Sequence, residues 1–232
     1  MTLVPAIHHN MLIHILKDIY TNTKIGPLLG FKGGTAAYLF YDLSRFSVDL
    51  DFDLLDDTNE DAIFESIQKI LQTYGTIKDA RKKRYSLFFL LSYDQKIQDG
   101  YNIKIEINRR NFGSRYEVKS YLGIAINVMV QADMAAHKLV AMLERAGKAN
   151  RDIYDVWFLL KNNWAINENI IKLRTNMTLP QFTQKAITTL ESINTKSILS
   201  GLGELLDAKQ KAWVKAHLVS ETIFLLRLQC KQ

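Results

Sequence analysis

The sequence is poor in the residues that mark several common classes of protein. Its 232 residues include a single cysteine, Cys230, so an intramolecular disulfide and a cysteine-ligated metal cluster are both excluded. Only three prolines are present, which argues against linkers and disordered segments. No stretch reaches the roughly 18 apolar residues of a membrane helix, and the N-terminus lacks the pattern of a signal peptide. We therefore expect a cytoplasmic protein without a membrane segment.

The composition that remains is that of a globular protein with a mild excess of positive charge. Hydrophobic residues make up 47% of the chain and charged residues 23%, enough to bury a full core. The length fits one large domain or two intimate ones. The net charge of +6 and the pI of about 9.2 are compatible with a nucleic-acid partner or a phosphorylated substrate.

The pattern of apolar residues changes near the middle of the chain. Apolar residues recur at helical spacing over residues 6–22 and 59–75, which predicts helices there. Other segments before residue 131 are rich in β-branched and aromatic residues, which predict strands. From residue 131 onward helical patterns follow one another. We expect an α+β fold, with a mixed α/β core over residues 1–130 and a helical bundle over residues 131–232.

Carboxylates alternate with apolar residues in the predicted strand VDLDFDLL. Because successive strand side chains point to opposite faces, Asp49, Asp51 and Asp53 share one face. The ordinary interpretation is a solvated face of an antiparallel strand. A second predicted strand, YNIKIEIN, weakens that interpretation, because its alternation would add Glu106 to the cluster if the two strands are neighbours.

Clustered carboxylates repel one another unless a divalent ion or a basic group offsets them. An all-oxygen ligand set suits Mg²⁺ or Mn²⁺ rather than zinc. The preceding Gly33 and Gly34 permit close backbone approach, and a helix that begins near Thr35 would direct N–H groups at a phosphate. The stretch therefore combines a predicted phosphate site with a predicted metal site.

These residues resemble the nucleotidyltransferases of the DNA polymerase β type, whose signature is a glycine pair, a short helix and a strand with Asp-x-Asp. The variant K-G-G-T-A followed by R-x-S-x-D-x-D-F is more narrowly similar to the AbiEii/AbiGii toxin family. The similarity continues in KIEIN and in the helices DMAAHKLVAMLERA and RDIYDVWFLL, and it covers roughly residues 25–160.

The resemblance implies a fold and a reaction. The expected fold is a polymerase β-type core, with a mixed sheet flanked by helices, followed by a helical domain that completes the nucleotide site. The expected reaction transfers NMP from an NTP to an acceptor hydroxyl with Mg²⁺ or Mn²⁺, and pyrophosphate leaves. tRNA is the leading acceptor, and the toxin role implies a cognate antitoxin.

The resemblance also assigns roles to residues. The expected metal ligands are Asp49, Asp51 and Glu106. The expected nucleotide contacts are Lys32, Gly33, Gly34, Thr35, Arg45, Ser47 and Lys138, and the expected catalytic residues are Asp49, Asp51, Lys138, Asp152 and Asp155. On the last helix Asp152 is favoured as the essential acid, with Asp155 as the alternative, while Asp53 is expected to be a solvated acid at the end of its strand.

Other interpretations of the chain stay open. The protein could be a nucleotide-binding module without turnover, or it could transfer the nucleotide to a protein or a small molecule. The basic run at residues 81–84, together with Arg109 and Arg110, would form either a path for RNA or an ordinary solvated turn.

Overall fold

The computed structural model describes residues 5–93 and 102–229, so Tyr101 and Cys230 lie outside the described residues. Within this part of the chain, seven β-strands share one sheet. They are β1 (Leu29–Lys32), β2 (Leu50–Leu54), β3 (Thr76–Lys82), β4 (Ser86–Ser92), β5 (Asn102–Asn108), β6 (Tyr116–Tyr121) and β7 (Ile124–Met129).

Eight α-helices are present in the same described ranges. They are α1 (Pro5–Thr21), α2 (Gly33–Phe40), α3 (Glu60–Gln72), α4 (Gln131–Glu144), α5 (Asn150–Lys161), α6 (Glu168–Thr175), α7 (Leu179–Glu191) and α8 (Ala208–Gln229). None of these helices is long and apolar enough to cross a membrane. The sequence pattern predicts each of them except α6, which is too short for a clear helical period.

The strands form a mixed sheet in the order β3-β4-β5-β2-β1-β7-β6. β2 runs parallel to β5 and β1 parallel to β7, whereas the other neighbours are antiparallel. β2 therefore lies directly beside β5, which makes neighbours of the two strands that carry the predicted acids. The predicted α+β class with a mixed sheet is confirmed.

The central strands have one apolar and one polar face because their sequences alternate. Leu50 and Phe52 of β2 and the three isoleucines of β5 are completely buried on the apolar face. Helices α1 and α3 cover this face, since Tyr20 packs on Phe52 and Phe64 packs on Phe89 with ring centroids 6.3 and 4.8 Å apart. Burial of these side chains stabilises the sheet by roughly 1.5–3 kcal/mol for each large residue, and it orients the alternating acids toward the polar face.

The chain divides into two compact units. The first contains all seven strands and helices α1 to α3. The second contains α4 to α8 and two short segments from earlier in the chain, Leu43–Arg45 and Phe112–Ser114. Within the second unit α5 packs on α4 and α8, and α7 packs on α6 and α8.

Candidate active site

The pairing of β2 with β5 brings the predicted acids together in the first unit. Asp51 lies directly opposite Glu106 in the parallel register, and Asp49 lies two residues before Asp51, just outside β2. Three carboxylates consequently occupy a small area of the polar face. Ser86 of β4 donates a hydrogen bond of 2.8 Å to Glu106 Oε1, which fixes the orientation of that carboxylate.

A lysine that was not predicted to belong to the site lies among these carboxylates. Lys104 Nζ is 3.8 Å from Asp49 Oδ2, 3.6 Å from Asp51 Oδ1 and 3.3 Å from Glu106 Oε2. Burial alone would lower the pKa of Lys104, but the charges of Asp51, Asp49 and Glu106 outweigh it and raise the pKa. The ammonium group is therefore the counter-charge of the acidic cluster.

The donor set fits a divalent cation, although the side chains are not arranged as metal ligands. Among the described residues, no three acids, histidines or cysteines stand in metal-binding geometry. The three carboxylates nevertheless converge on one cation, the Lys104 ammonium, at N–O separations of 3.3–3.8 Å. Mg²⁺ binds oxygen at about 2.1 Å, so these acids would have to close in and Lys104 would have to move aside.

The glycine pair adopts the close approach that its sequence predicts. Gly33 has a φ of +84°, and a Cβ at this position would lie 2.5 Å from Asp51 Oδ2. Only glycine fits there without displacing the acid. Helix α2 begins at Gly33, slightly earlier than expected, and Lys32 at its N-cap makes no side-chain capping hydrogen bond. The start of α2 is thus in direct contact with Asp51.

Thr35 and Ser47 connect this helix to the strand of acids. Thr35 donates a hydrogen bond to the carbonyl oxygen of Asp49, and its Oγ1 lies 3.0 Å from Ser47 Oγ. Both residues are buried. This geometry favours a role in positioning Asp49 over the direct phosphate contact that the resemblance implies.

Asp53 differs from the prediction. It is only 7% exposed, so the expectation of a solvated acid is wrong. Its carboxylate accepts hydrogen bonds from Lys32, from the Tyr116 hydroxyl and, at 2.7 Å, from Asn108 Nδ2. Because a buried carboxylate requires such partners, Asp53 is a structural anchor, and it fixes the lysine that precedes the glycine pair.

Three predicted residues of the second unit form one buried ionic cluster. Arg45 donates to both oxygens of Asp155, at 2.5 Å from Nε and 2.7 Å from Nη2, and Lys138 Nζ lies 2.5 Å from Oδ2. Asp155 is 2% exposed and Arg45 3% exposed. Burial would raise the pKa of Asp155, but Arg45 and Lys138 overcome it and lower the pKa to about 2.

Asp152 lies one helical turn before Asp155 in a different environment. It is 2% exposed, and Arg145 Nη2 contacts only its Oδ1, at 2.9 Å. Oδ2 is buried without a hydrogen-bond partner among the described residues. Burial raises the pKa of Asp152 more than Arg145 and Lys138 lower it. A buried carboxylate with an unsatisfied oxygen and a shifted pKa is typical of a functional group.

Two residues in and near the site were not predicted, for identifiable reasons. Lys104 carries a visible signal, since it shares the face of Glu106 two residues away, but its counter-ion role depends on the β2–β5 pairing. Tyr116 reaches Asp53 from a distant segment, and its ring lies against Gly30, where a Cβ would come within 2.2 Å of it. No local sequence pattern indicates that contact.

Solved structures of known proteins resemble the chain in fold. No curated protein matches the chain. Among solved structures it is similar to a candidate nucleotidyltransferase of H. pylori (TM-score 0.63, 21% identity, 100% of this chain and 96% of the other). It is also similar to JHP933 of Helicobacter pylori (0.62, 20%, 100% and 94%). A further neighbour is MenT4, a nucleotidyltransferase toxin of Mycobacterium tuberculosis H37Rv (0.54, 15%, 96% and 93%).

These neighbours share the fold of the chain, and a family model is more specific. The model of the nucleotidyl transferase AbiEii toxin of type IV toxin–antitoxin systems matches residues 14–215. This range contains every predicted site residue. The chain therefore belongs to the AbiEii toxin family, and it is a nucleotidyltransferase.

Proposed function

We propose that the protein transfers NMP from an NTP to an acceptor hydroxyl in a reaction that depends on Mg²⁺ or Mn²⁺ and releases pyrophosphate. The observation that carries this proposal is the convergence of Asp49, Asp51 and Glu106 on a single cationic group. In our proposal Asp49 and Asp51 hold the metal and Glu106 completes the site. A bound divalent ion would offset the phosphate charge and lower the pKa of the attacking hydroxyl.

The glycine pair would bind the phosphates of the NTP. Gly33 and Gly34 open helix α2 beside Asp51, and a helix start supplies N–H groups and a partial positive charge to an anion. Lys32 adds a cation next to these N–H groups, and Asp53 limits its movement. Thr35 and Ser47 would act by holding Asp49 in place.

The second unit would contribute a cation for the leaving pyrophosphate and a separate acid for proton transfer. Lys138 has three N–H donors and directs one toward Asp155, which leaves capacity to bind phosphate oxygens. Arg45 and Asp155 would position that ammonium group. Asp152, whose raised pKa and unsatisfied oxygen suit proton exchange, would be the acid whose loss abolishes activity.

We further propose that the acceptor is tRNA and that the protein acts as a toxin with a cognate antitoxin and works in the cytoplasm. Membership of a type IV toxin family supports the toxin role and the partner. The similarity to MenT4, a nucleotidyltransferase toxin, agrees with it at the level of the fold. The net charge of +6 is compatible with a polyanionic acceptor.

The test is incubation of the purified protein with Mg²⁺, total tRNA and each α-labelled NTP in turn. We expect label in RNA, and Asp51→Asn should lower its rate of appearance by roughly a hundredfold or more. Asp57→Asn removes the same charge from an exposed acid nearby and should behave as wild type.

Other outcomes would contradict specific parts of the proposal. Label in protein instead of RNA would replace the tRNA acceptor with a protein. NTP binding without transfer under Mg²⁺ and Mn²⁺ would favour a binding module. Full activity of Asp51→Asn would refute the assignment of the metal ligands.

A further inference from the structure

The sheet separates the basic residues of the β3–β4 hairpin onto its two faces. In the register Arg81 lies opposite Phe88, whereas Lys82 lies opposite the buried Leu87. Lys82 accordingly reaches Glu60 and Asp61 at the start of α3, on the face that helices cover. Arg109 also bonds Glu60, at 2.7 Å. These two cations are thus paired with acids of α3, away from the polar face.

Three further basic residues of the hairpin, together with Arg110, contact aromatic rings of the hairpin. Lys83 Nζ lies 3.4 Å from the centroid of the Phe88 ring, and Arg81 Cζ lies 5.7 Å from it. Arg84 and Arg110 lie 4.9 and 5.2 Å from the ring of Tyr85, which is 47% exposed. We call this set the basic–aromatic patch; it consists of Arg81, Lys83, Arg84, Tyr85, Phe88 and Arg110.

The register connects this patch to the proposed metal site. Phe88 lies opposite Glu106, and Glu106 lies opposite Asp51, so the three side chains form a row on the polar face. Neighbouring strands are about 4.8 Å apart. Phe88 is therefore roughly 10 Å from Asp51 along the sheet, with Glu106 between them. Arg81 extends the same row by one strand.

We propose that the basic–aromatic patch binds the single-stranded end of an RNA acceptor and leads its terminal hydroxyl along this row to the acids. This proposal rests on the proposed function, because it assigns that reaction's acceptor to a surface. Cations bind backbone phosphates, and aromatic and guanidinium planes stack on bases. Stacking requires unpaired bases, which a single-stranded end supplies and a duplex does not.

Equilibrium binding tests the patch without any chemistry. The anisotropy of a short labelled oligouridylate is titrated with the full-length protein, without NTP, at several salt concentrations. Loss of one phosphate contact should reduce the slope of log K against log salt by about 0.7. We expect this decrease for Lys83→Gln and, since Arg81 also contacts Asp79 at 3.1 Å, an equal or smaller one for Arg81→Gln.

Lys82→Gln is the matched control, because it removes the same charge from the residue between these two but on the other face. Its affinity and its salt slope should equal those of wild type. Phe88→Leu keeps an apolar side chain yet loses the ring face, so it should weaken binding roughly five- to hundredfold without changing the slope. Circular dichroism melts of all four variants check that the fold is intact.

The results also separate this surface from the proposed reaction. Equal losses in Lys82→Gln and Lys83→Gln, or no binding by wild type, would overturn the patch, as would equal affinity for a duplex of the same length. If wild type labels RNA while the charge variants bind it normally, only the patch is refuted. If the expected binding pattern appears but no label is transferred, only the reaction is refuted.

Discussion

Lys104 is the residue whose role differs most from what its position suggests. A lysine in an alternating strand is ordinarily a solvated side chain, yet this one lies within 4 Å of three carboxylates. It offsets their mutual repulsion and so stabilises the folded protein in the absence of metal. The same property would make it a competitor for the proposed divalent ion, because both would occupy the point at which the acids converge.

Substitution of this lysine should make stability depend on metal. We expect Lys104→Met to lower the free energy of unfolding by about 1 kcal/mol in EDTA, since three carboxylates then lack their counter-charge. Mg²⁺ should restore the loss, and the increase in melting temperature with Mg²⁺ should exceed that of wild type. Thermal melts with EDTA and with excess Mg²⁺ measure both effects.

Lys119→Met provides the comparison for this prediction. Lys119 is a strand lysine of similar exposure that pairs with one acid, Glu117, at 3.0 Å. Its variant should respond to Mg²⁺ as wild type does. If Lys104→Met shows no larger Mg²⁺ response than Lys119→Met, the acids of β2 and β5 do not bind the metal.

Asp155 and Asp152 are predicted to respond differently to the same substitution. Asp155→Asn leaves Arg45 and Lys138 buried without their carboxylate, so it should lower the free energy of unfolding by roughly 3–5 kcal/mol at neutral pH. The folded pKa of Asp155, about 2, lies below the ordinary value of 3.8. Its stabilising effect is therefore complete above pH 4 and is lost as the pH falls toward 2. Urea unfolding between pH 7 and pH 2 should show that the free energies of unfolding of wild type and Asp155→Asn converge as the pH falls.

Asp152→Asn is the matched control for stability. The raised pKa means that the charged form of Asp152 destabilises the fold, so its effect on stability is favourable only at low pH and is lost as the pH rises. At neutral pH the variant should be as stable as wild type or slightly more stable, while its transfer activity is lost. Equal destabilisation by both substitutions would contradict this division of roles.

The residues of the site differ in how far the sequence predicts them. Asp49, Asp51 and Glu106 are predictable because the alternation of each strand fixes the face on which they lie. Clustered carboxylates also repel one another, so such a cluster indicates a site. The burial of Asp53 is not predictable, since its partners Asn108 and Tyr116 come from strands whose pairing the sequence leaves open. Alternation gives the face of a residue, whereas register gives its neighbours.

Among the elements, β1, α2 and β2 meet at a junction in which the start of α2 lies against β2. β1 ends at Lys32, α2 starts at Gly33, and β2 returns antiparallel to β1 so that Lys32 lies opposite Asp51. The turn into α2 therefore lies against the acid strand itself. The glycine pair and the Asp-x-Asp motif are separate in sequence but contiguous in the structure.

Gly33→Ala should accordingly affect function more than stability. Its positive φ costs roughly 1–2 kcal/mol for alanine, and the added Cβ would displace the Asp51 carboxylate. We expect the rate of nucleotidyl transfer to decrease about a hundredfold, because an error near 1 Å in a catalytic group has that effect. Label transfer and urea unfolding measure the two quantities.

The β6–β7 turn offers a control for backbone strain alone. Gly123 has a φ of +80°, and a Cβ there would meet nothing within 4 Å. Gly123→Ala should lose a similar amount of stability while it retains its transfer rate. If its rate falls as far as that of Gly33→Ala, the collision with Asp51 is not the cause.

Element prediction succeeded where a long period or strict alternation was present and failed where the signal was short. Helices α1 and α3 lie close to the predicted ranges 6–22 and 59–75 because each repeats its apolar stripe over three or more turns. α6 has eight residues, of which Ile170 and Ile171 are buried, and two adjacent isoleucines do not distinguish a helix from a strand.

For the whole molecule, the family assignment predicts an effect on the growth of cells. Induced expression of wild type should slow growth, because the chain belongs to a family of toxins. Asp51→Asn should relieve this effect if toxicity requires nucleotidyl transfer. Growth curves at matched protein levels provide the measurement, with Asp57→Asn as the variant expected to stay toxic. Unimpaired growth with wild type would contradict toxicity but not the enzymatic activity.

The two short segments that belong to the second unit, Leu43–Arg45 and Phe112–Ser114, limit where this chain can be joined to a relative in a chimera. If the boundary lay simply after residue 130, the C-terminal helices could be exchanged between relatives as one continuous segment. Leu43–Arg45 belongs with those helices, however, and Arg45 supplies two hydrogen bonds to Asp155. A chimera joined at residue 130 would thus combine Asp155 of one relative with residue 45 of another. To exchange the second unit intact, a chimera must therefore transfer three separate stretches of sequence together: Leu43–Arg45, Phe112–Ser114 and the chain from Val130 onward.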